Sequence, residues 1–171
     1  MRLLTLVDAL WPAPAPASMS RVQAARPHRA DSREELAEEA SSSLHLPLAP
    51  TALSRQLREL LPLCRCLPGV TRIRPLPGGL GGVGDCGLYE SDDGTGLLKI
   101  RAWRPTGRLW LSLDGPRMTL QVDLRWRARD DGSRLDLELQ RLGPGAAALP
   151  LIAAAFAANL ALWLQSAPAA D

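Results

Sequence analysis

The sequence predicts an α+β domain, in which an antiparallel sheet of about seven strands carries two short helices after its first strand and a long helix at its C-terminal end. Three observations carry that prediction. Between residues 115 and 143 the chain alternates almost without error: Met118, Leu120, Val122, Leu124 and Trp126 against Arg117, Thr119, Gln121, Asp123, Arg125 and Arg127. After Asp130-Asp131-Gly132-Ser133 the alternation resumes, with Leu135, Leu137 and Leu139 against Arg134, Asp136, Glu138 and Gln140. A period of two over that length means two long antiparallel strands with one dry and one wet face. Shorter alternating segments divided by glycine, proline and aspartate turns precede this pair, and the apolar run over residues 149–167 is the one segment fit to cover the dry face.

Taken in order, residues 31–40 have the look of a helix start. Ser32 stands as N-cap with Glu35 three residues on, the spacing of a capping box. Ser41-Ser42-Ser43 then reads as a linker. Leu44, Leu46 and Leu48 alternate with His45, Pro47 and Ala49, a first strand that Pro47 places towards a sheet edge or at its own terminus. Pro50-Thr51 opens a helix with Leu53, Leu57, Leu60 and Leu61 on one face. Pro62 is expected to interrupt it, with a second helical turn from Leu63 to Leu67 ending at Pro68-Gly69. Strands follow over residues 70–76, 85–91, 98–103 and 109–113, the third with Leu98, Ile100 and Ala102 on one face and Lys99, Arg101 and Trp103 on the other. Pro150 sits in the first turn of the last helix, whose residues 151–167 extend for about 25 Å. Residues 1–43 are expected to form a disordered extension with a short acidic helix, 44–167 the domain, and 168–171 a tail.

The 171 residues carry a net charge of +2, too balanced to argue for nucleic acid or a membrane surface. Leu, Ala, Arg and Pro are abundant and Lys99 is the one lysine. That bias makes strand propensity a poor witness and periodicity a better one. Three cysteines (Cys64, Cys66, Cys86) do not make a disulfide framework, which favours a reducing, cytoplasmic setting, and Cys64-Arg65-Cys66 lacks the spacing of a zinc knuckle. Asn159 and Gln165 interrupt the terminal apolar run, so a helix covering the sheet is expected rather than a membrane anchor. Its face is expected to be Ile152, Phe156, Leu160 and Trp163.

The order strand, two short helices, six-stranded meander and long final helix resembles the helix-grip fold of the START-like (SRPBCC) superfamily. Leu63-Cys64-Arg65-Cys66-Leu67-Pro68-Gly69-Val70 is similar to the stretch after the short helices in two of its branches, the G-type accessory proteins of carbon-monoxide dehydrogenase and the polyketide-cyclase-like proteins. The resemblance covers residues 43–167. It implies a curved sheet gripping the last helix, with a cavity between them for an apolar molecule. Tyr89, Met118, Trp126, Phe156 and Trp163 are then the candidate ligand-binding residues.

No catalytic constellation stands out. His45 is out of phase with Leu44 and Leu46 and so faces solvent. Asp123, Asp136 and Glu138 lie on the wet face, where carboxylates solvate a strand, and Arg125, Arg127, Arg129 and Arg134 are offset by neighbouring aspartates. The glycine-rich segment 78–84 lacks the lysine-Ser/Thr ending and following helix of a phosphate loop, and is expected to be a loop at the pocket mouth. No metal site, cofactor or nucleic-acid partner is expected. Three functions remain: a non-enzymatic binder of a small hydrophobic molecule, acting as an accessory protein; a cyclase- or dehydratase-type enzyme using pocket groups such as Tyr89; and an assembly partner that docks its last helix on another protein.

Overall fold

The computed structural model describes residues 37–80, 82–145 and 147–166. Seven strands form one antiparallel sheet: β1 (Ala37–Leu46), β2 (Val70–Pro75), β3 (Cys86–Ser91), β4 (Gly94–Arg104), β5 (Arg108–Asp114), β6 (Thr119–Arg129) and β7 (Gly132–Leu142). Their order across the sheet is β1-β7-β6-β5-β4-β3-β2, so β2 to β7 is a meander and β1 closes back beside β7. Helices α1 (Pro50–Leu57) and α2 (Leu60–Arg65) join β1 to β2, and α3 (Leu149–Ser166) ends the domain. This is the predicted architecture.

The β6–β7 pair registers as the alternation requires, with Val122 opposite Leu139, Leu124 opposite Leu137 and Trp126 opposite Leu135. Those six side chains are buried, and on β5 Leu109, Leu111 and Leu113 continue the layer. At roughly 25 cal/mol per Å² of apolar surface removed from water, this sheet face is the main source of cohesion.

Four local expectations are corrected. Residues 37–43, expected as the end of an acidic helix and a serine linker, are the first seven positions of β1 and pair with residues 136–142 of β7. The inward residues Ala40, Ser42, Leu44 and Leu46 alternate along it, so the tertiary pairing overrides the local helix signal. The rest of that expected helix lies outside the described residues. The helical break falls at Arg58 and Glu59 rather than at Pro62, which occupies the first turn of α2, where no backbone donor is missed. Leu61, expected inward, is 38% exposed. Finally, the β4–β5 register shifts between Ile100 and Ala102, so that Trp103 faces Leu109 instead of lying among the polar side chains. One extra residue, Arg101, flips everything after it. Trp103 then packs on Trp126, ring centroids 5.8 Å apart.

Helix α3 packs chiefly on β1 and β7. Its buried face is Leu149, Ala153, Phe156, Ala157, Leu160, Ala161 and Leu164, with Ile152 and Trp163 at the margins. The alanine row 153-157-161 lets the helix approach β1 closely, whose own inward residues Ala40 and Ser42 are small. Asn159, which interrupts the apolar run in sequence, donates from Nδ2 to the Cys66 carbonyl at 3.0 Å and ties α3 to the end of α2. The helix is long and apolar enough to cross a bilayer, but its inner face belongs to the core. Its outer face carries Leu151 and Leu162, 69% and 57% exposed.

Phe156 is fully buried beneath α3. Replacing it by alanine is expected to cost about 3–5 kcal/mol, the range for large-to-small changes in a packed core. Urea unfolding should show a lower midpoint with an unchanged slope; a midpoint within experimental error of the parent would mean that α3 is not part of the cooperative core.

Candidate functional site

Under the middle of α3 the inner side chains Ala153, Phe156, Ala157 and Leu160 are packed with no more than 1% of their surface exposed. The opening lies instead at one end of the sheet, where β3, β5 and β7 finish and β2 begins. Two adjoining depressions of about 240 and 250 Å³ share Tyr89, Ser91, Asp93, Met118 and Gly145. The inner one is walled by Leu67, Val70, Leu113, Leu120 and Ile152, with Arg141 among them and Asp92 and Asp93 at the rim. The outer one is edged by Gly115, Pro116, Arg117 and Pro144.

Of the five side chains expected to line a pocket, Tyr89 and Met118 come together here. Trp126 lies at the opposite end of the sheet, bonded through its backbone to Gly107, and its buried indole Nε1 has no partner among the described residues. Phe156 is core packing, and Trp163 is half-buried beside the core. The glycine-rich segment joins β2 to β3 at the end of that hairpin remote from the cleft, so it is not at the mouth.

Tyr89 is held by the absence of side chains around it. It pairs with Gly96 across β3–β4, and a Cβ on Gly96 would stand 2.5 Å from its ring. A Cβ on Gly115 would stand 2.7 Å from its hydroxyl oxygen. Two glycines thus leave a slot that the ring fills, as aromatic side chains do over strand glycines. Burial pushes the Tyr89 phenol above its ordinary pKa, and the nearby carboxylates Asp114 and Asp93 push the same way. The group therefore stays protonated at neutral pH and offers a hydrogen-bond donor.

Arg141 was not anticipated, although the sequence held the signal. Extending the inward row Leu135, Leu137, Leu139 by two residues lands on it. The residue is 3% exposed. Its Nη1 donates to the Ala147 carbonyl and its Nη2 to Glu38 Oε2, both at 2.6 Å. Glu38 is the residue directly opposite on β1. The guanidinium lies so close to Gly145 that any side chain there would collide with it. Its Nε is buried and finds no partner among the described residues. A buried donor left without an acceptor costs about 1–3 kcal/mol, and more on a charged group.

Cys64 and Cys66 are buried free thiols. Burial pushes Cys64 up to about 12, with Cys66 adding to it, and pushes Cys66 up to about 11. The thiolate is the reactive form, so neither is a nucleophile at neutral pH. His45 is exposed on β1, as its phase predicts.

The outer sheet face is more ordered than solvated carboxylates alone would make it. Arg108 and Arg125 stand directly opposite each other on β5 and β6, a like-charge pair that would be destabilising alone. Asp123 resolves it. Arg108 reaches it in bidentate fashion at 3.0 and 2.9 Å, and Arg125 places Nε and Nη2 at 3.0 and 2.6 Å from its Oδ2. Arg108 also lies 5.6 Å over the Trp110 ring. Asp136 accepts bonds from Ser43 and Arg134. Two of the four arginines of the expected basic patch are thereby paired with aspartates.

No protein-family model matches the chain, and no curated protein matches it significantly. Solved structures do. The crystal structure of Ara h 8.0201 covers 77% of this chain and 99% of its own, with 19% identity and a TM-score of 0.54. Major latex-like protein 151 from Panax ginseng covers 75% of this chain and 97% of its own, with 7% identity and a TM-score of 0.58. A putative uncharacterised protein from Rhizobium leguminosarum covers 77% and 97%, with 15% identity and a TM-score of 0.54. Identities this low speak for the fold alone. That fold is the Bet v 1-like helix-grip arrangement.

The Asp123 and Asp136 carboxyls give a pH test. Burial pushes both up, but hydrogen bonds outweigh it, from Arg108 and Arg125 on Asp123 and from Ser43 and Arg134 on Asp136, so both lie below the ordinary range. A depressed folded-state pKa contributes stability that is complete above the unfolded value of about 3.9 and is lost as pH falls through the folded value. Stability should therefore decline below about pH 4. Asp123→Asn should be less stable at pH 7, because two opposed arginines lose their counter-charge, and its stability should fall less between pH 5 and pH 2. Urea midpoints measured across that range check this; parallel curves for the two proteins would refute it.

Proposed function

We propose that this chain is a non-enzymatic binding protein for a small hydrophobic molecule, held in the cleft at the end of the sheet beside the start of α3, and that it serves as an accessory to another protein. The supporting observation is the cleft itself: about 250 Å³ walled mainly by Leu67, Val70, Leu113, Leu120, Met118 and Ile152, with Tyr89 and Arg141 as its few fixed polar groups. Mostly apolar concave walls with a small number of placed donors are the usual form of a small-molecule site. The depression is open and adjoins a second of about 240 Å³, a size that suits a small molecule.

The polar groups argue for binding before catalysis. Tyr89 is a donor at neutral pH and Arg141 a fixed cation, whereas proton transfer calls for a group that gains and loses its proton near the working pH. Of the carboxylates at this end, Asp92 and Asp93 are exposed at the rim, Asp114 is ion-paired with Lys99, and Glu38 with Arg141. A cyclase or dehydratase remains the second reading, on the strength of Tyr89 standing in the cleft near Asp93. Within the superfamily we place the chain nearest the carbon-monoxide-dehydrogenase accessory proteins and the polyketide-cyclase-like branch. The stretch that carries this likeness supplies Leu67, Pro68, Gly69 and Val70 to the cleft wall. We place the protein in the cytoplasm, in keeping with its three free cysteines.

A neutral aromatic probe, 3-phenylpropan-1-ol, is expected to bind with a Kd in the micromolar to low-millimolar range, as titration calorimetry or chemical-shift perturbation would show. Met118→Trp places a larger side chain at a half-buried loop position in the cleft and should weaken the probe at least tenfold. Equal affinity for the two proteins, or shifts confined to residues away from the cleft, would contradict the proposal.

A further inference from the structure

We infer that the molecule taken by this cleft is a small monocarboxylic acid, an apolar body of roughly ten heavy atoms whose carboxylate is received by Arg141. The inference rests on the cleft being a ligand site and specifies what occupies it. Three observations lead to it. Arg141 interrupts an otherwise apolar inward row on β7, a place where a leucine would satisfy the fold as its neighbours do. The residue lines the cleft, and among the described residues its guanidinium makes two hydrogen bonds, one to the Ala147 carbonyl and one to Glu38. Its Nε has no acceptor among the described residues.

The unmet donor is of a particular kind. Nε and Nη2 of a guanidinium form the edge that carboxylates engage with two parallel hydrogen bonds. Glu38 contacts Nη2 alone and is itself half exposed, its side chain retaining 51% of its accessible surface. It neutralises Arg141 from outside without capping that edge. An acceptor brought in along the cleft meets a cation in apolar surroundings, where charge-assisted bonds are stronger than in water. Tyr89, protonated and facing the same cleft, offers a second donor to an oxygen-bearing head. The rim sets the limit of one acid group. Asp92 and Asp93 stand where a second carboxylate would emerge, and like charges there oppose it. A neutral alcohol or amide meets the same walls but leaves the charged edge unmatched.

Matched probes test this directly on the full chain. At pH 7.5 in low salt, 3-phenylpropanoate should bind at least tenfold more tightly than 3-phenylpropan-1-ol. The ratio of the two affinities should collapse to less than threefold in Arg141→Gln, while Arg127→Gln, an equal loss of charge on the exposed outer face, should preserve it. Glu38→Gln removes the competing carboxylate and should tighten the acid threefold or more; it serves as the second variant should Arg141→Gln fail to fold. If neither probe binds, the ligand-site reading itself fails. If the alcohol binds as well as the acid, or Glu38→Gln leaves the acid's affinity unchanged, the cleft stands and the acid inference is overturned.

Discussion

A seven-stranded sheet with one dry face must be covered, and among the described residues three helices do it. That constraint organises everything else. Helix α3 lies over β1 and β7, and the α1–α2 pair covers part of β6, β7 and β2. The two covers are tied where Asn159 meets the Cys66 carbonyl. The cleft is the seam between the segment after α2, with Leu67 to Val70, and the start of α3, with Ile152. The opening is therefore a consequence of how much apolar sheet surface must be shielded and of how few elements shield it. The alanine row on α3 closes its half tightly, which is why the hollow does not lie under the helix.

Two exceptions to the apolar inner layer give the seam its chemistry. Tyr89 is accommodated by glycines at positions 96 and 115, and Arg141 by a glycine at position 145. In each case the neighbouring backbone has given up a side chain so that a large polar one fits. Such sites cost stability: glycines in strands loosen the unfolded-to-folded balance, and a buried guanidinium loses its hydration. A chain selected only for a packed core would fill these positions with leucine and alanine. Places where local rules are broken at a cost are where functional groups are found.

The outer face obeys a different rule. There the alternation supplies arginines and carboxylates in near-equal number, and the register decides which meet. Arg108 and Arg125 are set opposite each other by the β5–β6 pairing, and Asp123 is positioned to bridge them. The partial cancellation of the basic patch, anticipated from composition alone, becomes a specific geometry. The β4 bulge shows the converse case, in which one unpaired residue, Arg101, moves Trp103 from the wet face to the dry one.

By itself the sequence determined the sheet, its meander order and the covering role of the last helix, because each rests on a periodicity that local steric alternation enforces residue by residue. It also placed His45, Asp123 and Asp136 on the wet side by phase alone. The rest was decided by contacts between residues far apart in the chain. Residues 37–40 carry a helical pattern and 41–43 that of a linker, and only pairing with β7, about a hundred positions later, makes them a strand. Likewise the packing beneath α3 and the meeting of Tyr89, Met118 and Arg141 at one end of the sheet depend on how two separate helical covers share one surface. Alternation tells which face a side chain takes; it does not tell which cover lies above it, and a cleft is defined by the cover it lacks.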